Sequence, residues 1–225
     1  MTTRQSPDLP DRVAAVLRWE GALGLLRRSV RRALHPVLRL RRLRFLDTDL
    51  TRAAPRLVAR VPLEMRVVEQ AELDALGPAL APLGIDLRQA REQLDRGDVL
   101  TVGFSGAALV HAGWISFSAP WIDEIGARLA LGPTEACGYG AVTHPDWRGR
   151  GIQPAGALFR DEVMRSLGYT RHISWVWADN VANQRQAERG RRRTKTVWSI
   201  WVRGMRRPLV LGATAAGSPS LVRPS

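Results

Sequence analysis

From Thr143 to Gln153 the chain reads Thr-His-Pro-Asp-Trp-Arg-Gly-Arg-Gly-Ile-Gln. A β-rich stretch ends there in a proline-containing turn, and two glycines lead into an apolar-periodic run, Ile152–Leu167, closed by Gly168. Glycine lets a backbone adopt positive φ and come close to a ligand. The first N–H groups of a helix have no intrahelical acceptor, and the helix dipole puts partial positive charge on them. Arg148 and Arg150 add fixed charge beside them. A strand, a glycine turn and a helix start in this order are suited to a phosphate or pyrophosphate. The chain has no GxxxxGK[ST] string, and its G-x-G-x-x-G is incomplete, so the other common phosphate loops do not account for it.

The rest of the chain supplies a frame for that turn. From residue 61, strands are expected at Met65–Glu69, Val99–Phe104, Leu109–Phe117, Gly138–Thr143, His172–Trp177 and Val197–Val202. Helices are expected at Ala71–Leu80, Leu87–Leu94, Ile152–Leu167 and Ala182–Arg189, from their apolar spacing. Ser105-Gly106 offers a tight hairpin turn, and residues 118–133 read as an irregular loop over a site. This order predicts an α/β (α+β) fold, a mixed, mostly antiparallel twisted sheet flanked by helices, with one βαβ crossover at the glycine turn. Residues 1–60 read as a basic helical N-terminal extension and residues 208–225 as a disordered tail.

The formal net charge of +13 sits at the two ends. Residues 1–60 carry +9 and residues 185–207 carry +8, whereas residues 61–184 carry −5. Within 11–34, Leu23, Leu26, Val30 and Leu34 mark an apolar stripe opposite Arg27, Arg28, Arg31 and Arg32. LRLRRLRFL, residues 38–46, continues the basic character. An arm of this kind either packs its leucines on the domain or touches an anionic surface. The tryptophans at 175, 177, 198 and 201 could stack bases, but alternation with Ile and Val favours core, and nucleic acid is not the expected partner. The single cysteine, Cys137, excludes an internal disulfide and a multi-cysteine metal site and reads as a small core residue. No metal is expected, a cytoplasmic location is, and a homodimer is an assembly the sequence allows.

The string AVTHPDWRGRGI, residues 141–152, resembles the central motif of the GNAT N-acetyltransferase superfamily, V-x-P-x-x-R-G-x-G-[IL]. The strand WVWADN, ending at Asn180 and followed by Asn183, resembles that family's second signature. The resemblance covers about residues 63–204 and implies that residues 61–207 form a GNAT-like acyltransferase domain using acetyl-CoA as co-substrate. It implies that Val142 and Thr143 meet the pantetheine arm through their backbones. Arg148, Gly149, Arg150, Gly151 and Ile152 would cradle the pyrophosphate, with Asn180 and Asn183 beside the cofactor. The chain departs from the pattern in three places. Gln153 stands where Gly or Ala is usual, no Gly-Phe closes the second signature, and Ala187 falls where a proton-donating Tyr is common.

Acyl transfer to an amine needs a deprotonated amine, a polarised thioester carbonyl and a proton for the departing thiolate. Glu135 is the local candidate for the base, with Asp123 and Glu124 in the loop before it. Tyr139 on the motif strand is the candidate acid, with Tyr169 after the helix as the alternative. The acceptor is expected to be a small-molecule or peptide amine. Two other functions fit the same sequence: a basic binder of nucleic acid or anionic membrane surfaces, and a GNAT-like protein that binds CoA without turnover.

Overall fold

The computed structural model describes residues 37–53, 57–123, 125–178, 193–206, 208–212 and 220–222. In chain order the elements are β1 (Leu38–Asp49), β2 (Glu64–Val67), α1 (Leu73–Leu80), α2 (Leu87–Asp95), β3 (Val99–Ser105) and β4 (Ala108–Ser116). These are followed by β5 (Trp121–Ile122), β6 (Ala127–Ala130), β7 (Glu135–Thr143), α3 (Ile152–Ser166), β8 (Arg171–Trp177), β9 (Arg193–Val202), β10 (Leu209–Leu211) and β11 (Ser220–Val222). Eight strands form one sheet in the order β10-β9-β1-β8-β7-β4-β3-β2. All its pairings are antiparallel except β7–β8, which α3 joins as a βαβ crossover. The mixed, mostly antiparallel sheet with flanking helices is the fold class the sequence predicts.

Two layers cover one face of the sheet. Over β3 and β4, α1, α2 and the 3-10 turn Ala81–Leu83 between them bury Leu73, Leu80, Leu83 and Ala90 against Leu100, Val102 and Trp114. The N-cap of α2, Asp86, accepts the Gln89 N–H at 2.9 Å. Over β1, β8 and β9 lies a small second sheet, β11-β6-β5, packing Ile122, Ala127 and Leu129 on Leu43, Phe45, Ile173 and Val197. The opposite face of β4 and β7 takes α3, where Met164 meets Ile115, Ala136 and Leu50.

Three expectations are corrected. Residues 38–49, placed in a helical basic extension, form β1, hydrogen-bonded on both edges between β9 and β8. Leu43 and Phe45 pack beneath the second sheet while Leu46 packs on Val176 on the other face, so buried apolar residues fall at both parities. This blurs the period-two pattern that would have announced a strand. Residues 118–133, expected as a loop over the site, contain β5 and β6 and cap core instead. The tail from 208, expected to be disordered, contributes β10 and β11 by pairing with β9 and β6. The expected helices at 11–34 and Ala182–Arg189 lie outside the described residues.

Candidate active site

The glycine turn sits at the end of β7, in the crossover. Pro145–Trp147 makes one turn of 3-10 helix whose N-terminal residue, His144, accepts the Asp146 N–H on its ring nitrogen. Gly149 and Gly151 have φ of +78° and +77°, and Gly151 is the N-cap of α3. Side chains here mean strain, so the two glycines are required by the backbone path. Arg148 Nε donates to the Thr143 carbonyl at 3.3 Å, and the Arg150 guanidinium stacks 4.7 Å over Trp147, so both arginines brace the turn they charge. A strap that the sequence did not announce crosses the turn. Arg60 N–H donates to the Arg150 carbonyl at 2.8 Å, and the Val58 carbonyl lies 3.4 Å from where a Gly151 Cβ would sit.

Beside the turn, the sheet opens. Among the described residues the β7–β8 ladder runs from Glu135 against Arg171 to Gly138 against Ser174, although β7 continues to Thr143 and β8 to Trp177. On its other edge β7 stays paired to β4 with a bulge. From Ala112↔Val142 to Trp114↔Tyr139, β7 uses one residue more than β4, and Gly140 takes φ +58° within that excess. The extra residue reverses the alternation. Tyr139 and Val142 face α1 and α2, while Gly138 and Thr143 face α3. His144 N–H bonds back to Val110 on β4, so alternation along an antiparallel pair turns the Thr143 N–H toward the open β8 side. An N–H on a free strand edge beside a glycine-opened helix fits an extended chain that ends in a pyrophosphate.

No family model matches the chain, and no curated protein does. Solved structures do. A GCN5-related N-acetyltransferase from Sphaerobacter thermophilus superposes with a TM-score of 0.51 at 15% identity, over 81% of this chain and 57% of that one. The chain has the GNAT fold. A GNAT-family acetyltransferase from Colwellia psychrerythraea gives 0.49 at 17% identity, over 72% of this chain and 55% of that one. A functionally unknown conserved protein from Staphylococcus epidermidis gives 0.48 at 9%, over 87% and 80%.

On this GNAT fold the candidate site residues do not all converge. Val142 and Thr143 end β7, and Arg148 to Ile152 carry the glycine turn into the start of α3. Tyr139 stands where the splay begins, its ring stacked 6.2 Å from Trp175 and 6.4 Å from Trp114. Its hydroxyl donates to Asp98 Oδ2 at 2.6 Å. Burial, then the Asp98 hydrogen bond and charge, raise the Tyr139 pKa far above its ordinary value. Glu135 is elsewhere, at the far end of β7. One of its carboxylate oxygens pairs with Arg171, which also holds Asp47, and the other accepts the Gly132 N–H at 2.8 Å. Its carboxylate is thus committed to an ion-pair clamp joining β1, β7 and β8 rather than aimed into the splay. Asp123 is exposed, and Glu124, Asn180 and Asn183 lie outside the described residues. Cys137 is buried in the core beneath the second sheet, and burial pushes its thiol pKa well up. Among the described residues no cluster of three His, Cys, Asp or Glu could hold a metal, and no helix is long and apolar enough to cross a membrane.

Sequence reasoning missed the buried polar layer between the sheet and α3. His111, Thr143, Arg160, Asp161 and His172 are all under 8% exposed. His172 Nδ1 and Asp161 Oδ1 are 2.5 Å apart. Three glycines make the room: a Cβ at Gly113 would meet Arg160 Cζ at 2.9 Å, at Gly138 His172 Cε1 at 3.1 Å, and at Gly156 His111 Cδ2 at 2.6 Å. Burial first, then the neighbouring Arg160 charge, lower the His111 pKa to about 3, so the ring stays neutral. Asp98 was missed as well, being 41 residues from Tyr139 in the chain. Only the repeated glycines in these strands and in α3 could have signalled that bulky groups needed space there.

Proposed function

We propose that the protein is an N-acyltransferase that moves an acetyl or other acyl group from acyl-CoA to a primary amine by direct attack. The observation that carries this reading is the early end of the β7–β8 ladder at Gly138, beside the Gly149/Gly151 turn that opens α3. The free edge of β7 would hold the pantetheine arm, and the N–H groups at the start of α3, with Arg148 and Arg150, would hold the pyrophosphate. Acyl-CoA supplies an activated acyl group there. The Thr143 N–H is suited to polarise a carbonyl at the open edge. Tyr139, half-buried at the mouth of the splay, keeps its proton across the physiological range and holds it in the bond to Asp98. The proton that the amine gives up on attack therefore reaches the departing thiolate through solvent. The GNAT fold supports the reading without specifying the amine.

Calorimetry with acetyl-CoA on the full chain is the direct test, followed by free-thiol release over pooled primary amines. Saturable binding is expected, and replacing both Gly149 and Gly151 with valine should weaken it at least about 100-fold, since each loses its backbone conformation. Wild-type affinity in that double variant would rule this site out. CoA binding with no thiol release across a broad amine panel would reduce the protein to a CoA-binding member of the fold.

A further inference from the structure

Gln153, the residue out of place in the motif, has a partner. Its Oε1 lies 3.5 Å from Thr143 Oγ1, and Thr143 Oγ1 lies 3.0 Å from His111 Nδ1. His111 Nε2 lies 3.2 Å from Arg160 Nη1. The direction of each bond follows from chemistry. A guanidinium only donates, so His111 Nε2 must accept from Arg160. A neutral imidazole that accepts at Nε2 carries its proton on Nδ1, which therefore donates to Thr143. With an acceptor position filled, the Thr143 hydroxyl directs its own proton to the Gln153 carbonyl oxygen. The order these roles give is Arg160 to His111 to Thr143 to Gln153, with the Val142 carbonyl as a second acceptor for the His111 ring and the Thr143–Gln153 contact the longest of the chain.

The chain begins on the third turn of α3, crosses β4 and β7, and returns to the first turn of α3. We infer that these four side chains are positioning residues that lock the start of α3 to the end of β7, holding the glycine turn in its anion-binding geometry. The inference rests on the acyl-CoA reading of that turn. Three features support it besides the distances. Arg160, His111 and Thr143 are 4%, 0% and 7% exposed, so water does not compete for their bonds. Gly113 and Gly156 are the residues that let Arg160 and His111 lie flat against sheet and helix. The charged or titratable groups in this layer are Arg160, Asp161 and His172, and Arg160 is the one bonded to His111, which favours the neutral ring. Gln153 closes the chain where a Gly or Ala would leave the Thr143 hydroxyl without an acceptor on α3. The motif departure is then a compensation, in which a side-chain lock takes the place of close backbone packing.

The test uses the full chain and two readouts. In the first, wild type, Thr143→Val, Thr143→Ser and Gln153→Leu are titrated with CoA and with pantetheine, which lacks the pyrophosphate. Thr143→Val and Gln153→Leu should weaken CoA about tenfold or more and leave pantetheine within about twofold, while Thr143→Ser restores CoA affinity. In the second, nitrogen NMR of the four histidines assigns the His111 tautomer, expected as Nδ1–H with no titration between pH 5 and 8. Equal loss for CoA and pantetheine, or no loss for CoA, would overturn the positioning role. An Nε2–H tautomer, or a His111 midpoint near its ordinary value, would overturn the chain itself. Wild type that binds neither CoA nor pantetheine would overturn the acyl-CoA reading and this role with it, whatever the tautomer. Thermal melts of each variant confirm that the protein measured is folded.

Discussion

Gly156→Ala sets two physical effects against each other, and the structure decides between them. Gly156 lies inside α3, where replacing Gly by Ala should stabilise a helix by about 1 kcal/mol. The new Cβ would lie 2.6 Å from His111 Cδ2, closer than side-chain carbons approach. The His111 ring has no freedom to give way. Both ring nitrogens are bonded, to Thr143 and to Arg160, and the residue is 0% exposed. Overpacking a filled core costs about 1–3 kcal/mol. Turning the ring aside would instead give up the bonds that His111 makes to Arg160 and Thr143, at about 0.5–1.5 kcal/mol each. A contact this short belongs at the upper end of the overpacking range, so net destabilisation of about 1–2 kcal/mol is expected after the helix gain is subtracted, which lowers Tm by about 2–8 °C in a chain of this size. Urea and thermal unfolding followed by circular dichroism would measure it. The reasoning also predicts coupling: in a His111→Ala background the same substitution should be neutral or stabilising. A single Gly156→Ala variant as stable as wild type, or a double variant with no coupling, would refute it.

Other outcomes follow from the same layer and from the clamp. His111 has a folded pKa of about 3 against about 6.5 unfolded, so the unfolded chain binds the extra proton as pH falls. Its contribution to stability is therefore whole above about pH 6.5 and is lost on acidification toward pH 3, at up to about 1.4 kcal/mol per pH unit. A His111→Gln variant should show a shallower loss than wild type over that window in urea titrations at stepped pH, and parallel curves would contradict the assignment. Tyr139→Phe removes the donor to buried Asp98 and should cost about 1–3 kcal/mol in urea unfolding, more than loss of an exposed hydroxyl would. Arg171→Met leaves Asp47 and Glu135 without their shared cation. Because that cluster is about a quarter exposed, a loss of about 1–3 kcal/mol is expected, smaller in high salt, and unchanged Tm would remove the clamp from the account.

The site was legible in the sequence wherever its chemistry is local. Gly149, Gly151 and the following periodic run announce a tight turn into a helix because positive φ and helix starts are decided within a few residues. Trp175 and Tyr139 were legible as residue types but not as a stacked pair, since the pairing depends on β7 and β8 lying side by side. Glu135 looked available only because Arg171, 36 residues away, was not visible as its partner. β1 was misread because it carries apolar residues at both parities, Leu43 and Phe45 on one face and Leu46 on the other, and its four arginines suggested an exposed arm.

The residues alone determined the order of most strands and helices from 61 onward, the crossover at the glycine turn and that turn's glycine-led entry into a helix. These rest on periodicity and on φ, both short-range properties. Tertiary structure alone decided that residues 38–49 run through the middle of the sheet and that β7 gains a residue at Gly140, parting Tyr139 from Thr143. It also decided that His111 and Arg160, 49 positions apart, share a hydrogen bond beneath α3. Strand order, bulges and buried polar partners depend on which surfaces meet once the chain is closed, and a linear pattern carries no record of that meeting.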